Sequence, residues 1–80
     1  MENKKVVVFG RKVPKCSGCV LVVNELEKAS VVFEYKDITV GENYDEMCKL
    51  RVRGIPAVFV DGVFKKGADN IKETIKEILA

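Results

Sequence analysis

Residues 6–19 read Val6-Val7-Val8-Phe9-Gly10-Arg11-Lys12-Val13-Pro14-Lys15-Cys16-Ser17-Gly18-Cys19. Val6–Phe9 is a short, unbroken, β-branched run, the pattern of a strand buried on both faces. Gly10 and Pro14 end it. From Cys16 onward the period changes: Cys19, Val22, Val23, Leu26 and Ala29 recur at helical spacing, with Asn24, Glu25, Glu27 and Lys28 largely on the opposite face. This predicts a helix from about Ser17 to Ala29. Val31–Ile38 then reads as a second strand, with Phe33 and Tyr35 on one face. Strand, helix and strand in so short a span form a βαβ unit, whose strands are parallel and whose crossover is right-handed.

The remaining elements follow from local signals. Gly41-Glu42-Asn43 reads as loop, and Asn43 is placed to cap a short helix reaching Leu50. Ala57–Val60 and Val63–Lys65 are two strands around Asp61-Gly62, a hairpin signal because the turn needs positive φ at both central residues. A last helix runs from about Asp69 to Leu79, with Ile71, Ile75, Ile78 and Leu79 on one stripe and Asp69 at its N-cap. The order is βαβαββα, and an 80-residue chain makes one domain, 1–80.

Composition narrows the function. Apolar residues make up 48% and charged residues 32%, the balance of a compact folded protein and not a disordered one. The net charge of +2 is too small to imply nucleic acid or a membrane surface as partner, and no apolar run is long enough to span a bilayer. The first five residues lack the apolar core and cleavage site of a secretory signal. A cytoplasmic location is therefore expected. In that compartment three cysteines do not make a disulfide framework, and a Cys-x-x-Cys suggests redox chemistry or metal.

Cys16 falls where the loop after the first strand enters the helix. A thiolate there meets unpaired backbone N–H groups and the positive end of the helix dipole, and Arg11, Lys12 and Lys15 add positive charge nearby. Cys19 lies one helical turn on, on the same face and within the apolar stripe. An exposed nucleophile beside a sheltered partner is what resolution of a mixed disulfide requires. Other readings of the pair remain. A structural zinc site needs four ligands, and this chain has no His and one further Cys. The pair could be two inert core cysteines, or could hold an iron–sulfur cluster shared between chains. Metal ligands within one chain are not expected.

Gly54-Ile55-Pro56-Ala57 stands just before a strand, where a proline starts the strand without donating to the ladder. With this segment the chain resembles the glutaredoxin/thioredoxin family along nearly its whole length. The resemblance runs from the first strand and Cys16-Ser17-Gly18-Cys19 through Ile55-Pro56 and the Asp61-Gly62 hairpin to the closing helix. It implies a thioredoxin-like α/β fold: a four-stranded mixed sheet flanked by three helices. It implies a small thiol–disulfide oxidoreductase with Cys16 and Cys19 catalytic, acting on disulfide-containing proteins or glutathione mixed disulfides. By the same resemblance Pro56 is cis, Ile55 offers backbone hydrogen bonds to substrate, and Gly67-Ala68-Asp69 holds the γ-glutamyl end of glutathione; Lys12 and Lys15, also candidates for binding glutathione, straddle but do not match the family's usual lysine ahead of the nucleophile. No bound cofactor is expected. Glutathione is the expected co-substrate, or else a flavoprotein such as thioredoxin reductase supplies the electrons, and the chain is expected to be a monomer. The alternative is an iron–sulfur or metal carrier built on the same cysteine pair.

The chain departs from the family pattern in ways that bear on the electron donor. Cys-Pro-Tyr-Cys and Trp-Cys-Gly-Pro-Cys are absent, the first strand carries no Asp, and Lys66-Gly67 stands where glutaredoxins have Gly-Gly. Arg51 and Arg53 could join Arg11, Lys12 and Lys15 in a basic rim. Tyr44, Met47, Phe59 and Phe64 are core candidates, and Cys48 reads as a packed core thiol.

Overall fold

The computed structural model describes residues 4–12, 16–52, 54–65 and 70–80. The elements are β1 (Val6–Gly10), α1 (Ser17–Lys28), β2 (Glu34–Asp37), α2 (Gly41–Lys49), β3 (Ala57–Val60), β4 (Val63–Lys65) and α3 (Ile71–Leu79). The strands form one sheet in the order β2-β1-β3-β4. β1 runs parallel to β2 and antiparallel to β3, and β3 and β4 form an antiparallel hairpin. This is the expected βαβαββα order with a mixed four-stranded sheet.

Because side chains alternate along a strand, the two central strands feed two cores. Val6, Val8, Val58 and Val60 meet Val22 and Leu26 of α1 and Ile71 of α3 on one face. Phe9, Ala57 and Phe59 meet Met47 of α2 on the other. Phe9 and Phe59 pack edge to face with ring centroids 5.7 Å apart, an arrangement favoured by the ring quadrupoles. Asp61 (φ 51°) and Gly62 (φ 82°) both take left-handed backbone, as the β3–β4 turn requires.

Several expectations are corrected. Gly10 does not end the strand from outside; it is the last residue of β1 and pairs with Asp37. β2 is shorter than read, Glu34–Asp37 in place of Val31–Ile38, and Val32 is 83% exposed. α2 starts at Gly41 with Val40 at its N-cap, so the segment read as loop is helical. Asn43 does not cap: its side-chain amide donates to the Asp37 carbonyl at 2.9 Å and ties the first turn of α2 to the end of β2. α3 starts at Ile71 with Asn70 at its N-cap, and Asp69 lies outside the described residues. Tyr44, Phe64 and Leu79 are exposed, on α2, the edge strand β4 and the last turn of α3. Cys48 is exposed as well, next to buried Met47 near the end of α2.

Candidate active site

Cys16 is the N-cap of α1, with extended backbone (φ −114°, ψ 110°). Its carbonyl accepts from the Val20 N–H at 3.1 Å, the first helical bond. Its sulfur accepts from the Cys19 N–H at 3.3 Å, in the way a serine or aspartate oxygen caps a helix. The first turn of α1 carries no acidic side chain, so no carboxylate of that turn competes with a sulfur anion for the helix N-terminus.

Cys19 sits one turn inside, 2% exposed, between α1 and the sheet. Both cysteines are free thiols, Cys16 partly exposed and Cys19 buried. Burial pushes the Cys19 thiol up to about 11, and the Cys16 side-chain hydrogen bond adds to the rise. A hydrogen bond from the Arg11 backbone opposes them. The two sulfurs therefore share one site but differ in exposure and in hydrogen bonding.

The end of β1 brings further groups to this site. A Cβ on Gly10 would stand 3.0 Å from Cys19 Sγ and 2.6 Å from Tyr35 Oη, so only glycine admits both atoms to that spot. Tyr35, on β2, hydrogen-bonds the Cys19 side chain, and its phenol is pushed up to about 12, first by burial and then by the charges of Cys19, Asp37 and Cys16. Lys12 Nζ lies 5.6 Å from the Tyr35 ring centroid. Arg11, Lys12, Cys19, Val23, Phe33 and Tyr35 line a cavity of about 380 Å³ between α1 and β2. Asp37, two residues along β2 from Tyr35, is held below the usual carboxylate range by the Thr39 backbone N–H and hydroxyl.

On the other side of β1, the Ile55–Pro56 peptide is cis. Phe9 pairs with Ala57 as the last register pair of β1 and β3, so Pro56, the next residue out, stands just beyond that end of the ladder. Ile55 packs against the cluster of Phe9, Met47, Ala57 and Phe59. Cys19 and Lys12 thus lie together at the end of β1 on the α1 side, with Cys16 one turn from Cys19, while Ile55 and Pro56 lead into β3 and Ile55 packs on the α2 side. Lys15, Gly67, Ala68 and Asp69 lie outside the described residues, as does Arg53. Arg51 (φ 62°) lies at the end of α2 beside Tyr44, Met47 and Cys48. Sequence reading missed Gly10 and Tyr35 as site residues. The signal for Gly10 was its place at the strand end just before Cys16-x-x-Cys19; Tyr35 had no signal beyond facing the same way as Phe33.

Among the described residues no group of three or more His, Cys, Asp or Glu side chains is placed to hold a metal ion. No helix among them is long and apolar enough to cross a membrane.

Solved structures share this architecture. A point mutant of the thioredoxin-like protein BC3987 superposes with a TM-score of 0.79 at 23% identity, over 94% of each chain. A buckwheat glutaredoxin in complex with glutathione gives 0.71 at 19% identity, over 92% of this chain and 70% of that one. Reduced apo GrxS14 of poplar gives 0.65 at 26% identity, over 92% and 72%. No curated protein sequence gives a significant match. The glutaredoxin family model matches residues 6–65, from the start of β1 to the end of β4 and across both cysteines and Pro56; the chain belongs to the glutaredoxin family.

Proposed function

We propose that this chain is a dithiol oxidoreductase that reduces protein disulfides or glutathione mixed disulfides through Cys16 and Cys19. The observation that carries the reading is the capping bond: Cys16 Sγ accepts a helix N–H at the partly exposed start of α1, and the next sulfur in the chain is one turn behind it and buried. Membership of the glutaredoxin family supports the same chemistry.

In the first step the Cys16 thiolate attacks one sulfur of a substrate disulfide R–S–S–R′. A Cys16–S–S–R bond forms and R′S⁻ leaves, taking a proton from solvent. In the second, Cys19 loses its proton and its sulfur attacks Cys16 Sγ. The Cys16–Cys19 disulfide forms and RS⁻ departs to be protonated. Two cysteine thiols are oxidised and one substrate disulfide is reduced. The backbone at Ile55, ahead of cis-Pro56, would pair with the extended substrate. Lys12, together with Lys15 and Gly67-Ala68-Asp69, would take the charged ends of glutathione. Glutathione is placed first as electron donor because of the family, and its presence in the buckwheat complex agrees; a flavoprotein reductase is the other source.

Cys48 supplies an internal control. It is exposed, whereas Cys16 is only partly so, so access alone would make Cys48 the faster thiol. Near neutral pH, limiting alkylator followed by peptide mapping should label Cys16 first. Equal or slower labelling of Cys16 would overturn the mechanism, as would a brown, iron-containing dimer purified under low oxygen with glutathione. Coupled assays with glutathione reductase and with thioredoxin reductase, run side by side, identify the donor.

A further inference from the structure

The second chemical step carries a difficulty that the first does not. Cys19 must become an anion in a place where burial holds its thiol up to about 11. By then Cys16 is tied in a mixed disulfide and no longer raises the Cys19 thiol through its own hydrogen bond and charge, but burial remains, so the groups that can donate to the Cys19 sulfur matter. The backbone N–H of Arg11 is one. The other lies on β2. Tyr35 Oη and Cys19 Sγ converge over the Cα of Gly10, where a missing Cβ leaves room for both.

Resting on the dithiol reading above, we propose that the Tyr35 hydroxyl is a catalytic group of the resolving step. It donates a hydrogen bond to Cys19 Sγ as that sulfur becomes an anion, and does so from the side of the sheet away from the substrate. The strand order supports the two-sidedness. β2, with Tyr35, and β3, with Pro56 at its entrance, flank β1 on opposite sides, so a substrate lying along Ile55–Pro56 leaves the Tyr35 side open. That side holds the cavity of about 380 Å³, ample for the water that takes the Cys19 proton, since a water occupies about 30 Å³ of liquid.

Tyr35 acts as donor and not as base. Its phenol is pushed up to about 12, so near neutral pH it keeps its proton and offers it to the sulfur. Among the described residues the charged and titratable groups around it are Lys12 over its ring, Asp37 further along β2, the two cysteines, and Arg11 and Glu27 in the lining of the same cavity. The ammonium of Lys12 draws electron density from the ring and strengthens the O–H as a donor.

The test separates the two steps. With the exposed third thiol removed (Cys48→Ser, the parent for this test), an aromatic disulfide reagent releases one coloured thiolate when Cys16 attacks and a second when Cys19 resolves the adduct. In Tyr35→Phe the first release should stay within about twofold of the parent. If the lost bond lowers the thiolate fraction about tenfold, the greater nucleophilicity of a more basic sulfur restores about threefold, which leaves the second release about threefold slower. The pH midpoint of the second phase should also rise, a change that loosened packing alone would not produce. Gly10→Ala crowds Tyr35 Oη, Tyr35 Cζ and Cys19 Sγ together, and should slow the same phase. A second phase unchanged in rate and midpoint in Tyr35→Phe overturns the role of Tyr35 and leaves the dithiol reading standing. Absence of any second release from the parent protein overturns the dithiol reading, and this inference with it.

Discussion

The backbone N–H of Cys19 points at Cys16 Sγ from 3.3 Å, which makes the reactive sulfur the cap of its own helix. The bond needs an acceptor at Cys16 and only a backbone at Cys19, so the two side chains can be separated by mutation. Cys19→Ser keeps the capping N–H and the first chemical step, and should accumulate a stable mixed disulfide on Cys16, seen as a mass increase equal to the substrate thiol. Cys16→Ser should form no adduct at either active-site position. An adduct on Cys19 in that variant would reverse the assigned roles.

The raised Cys19 thiol gives a pH dependence with a definite sign. A thiol held up to about 11, from an ordinary value of 9.0, is disfavoured as an anion in the folded chain. The unfolded chain therefore loses this proton at lower pH than the folded one. The stabilisation is fully present below about pH 9 and is lost as pH rises through 11. Urea midpoints of the reduced protein should fall between pH 9 and 11, and Cys19→Ala should flatten that part of the profile. In the same window Cys19 alkylation should begin to climb. Rapid alkylation of Cys19 near neutral pH would contradict the burial that causes the shift.

Much of the fold and of this site is legible in the sequence because the signals are local. A β-branched run, a Cys-x-x-Cys on a change of period, an Ile55-Pro56 before a strand and an Asp61-Gly62 between strands each depend on neighbouring residues alone. Tyr35 is different. It is 16 positions from Cys19 in the chain, and in sequence it looks like any aromatic alternating with Phe33 on a half-buried strand. Only the parallel register, Val8 opposite Tyr35 and Gly10 opposite Asp37, carries its hydroxyl to the end of β1. The start of α2 was missed for a similar reason. Gly41 and Asn43 have loop-like propensities, and the bond from Asn43 to the Asp37 carbonyl that fixes the turn is visible only in three dimensions. Exposure of Cys48, Tyr44 and Phe64 depends on what the fold leaves uncovered, which periodicity in a nine-residue helix or a three-residue edge strand does not record.

Leu26 is fully buried between α1 and the sheet, against Val6, Val8 and Val58. Truncation there leaves a cavity that the β-branched neighbours, stiff at χ1, cannot fill. Leu26→Ala should cost about 2–5 kcal/mol. Val32→Ala, at an 83% exposed position on the connection into β2, should fall within about 0.5 kcal/mol of the parent. Urea denaturation of the two variants checks the contrast, and similar losses would mean that the α1 face is not the packed core described.

The β3–β4 turn offers a stability change that should leave chemistry alone. Gly62 sits at φ 82° with open space around it, so an added Cβ meets no neighbour and the cost is conformational. Left-handed backbone disfavours a side chain by about 1–2 kcal/mol, which for a domain this small lowers Tm by about 4–8 °C per kcal/mol. Asp61 does more than turn the chain. Its N–H donates to the Lys5 carbonyl at 2.8 Å and its Oδ1 accepts from the Lys5 N–H at 2.7 Å, which fastens the hairpin to the entry of β1. Asp61→Asn keeps an acceptor and tolerates positive φ, whereas Asp61→Ala loses both, so the alanine variant should be the less stable of the two. The turn lies at the Val60 end of β3, and cis-Pro56 precedes the Ala57 end. Thermal melts should therefore rank the three variants below the parent while both thiol-release phases keep parental rates. A slowed release in Gly62→Ala would show that the hairpin bears on the site after all, through β3.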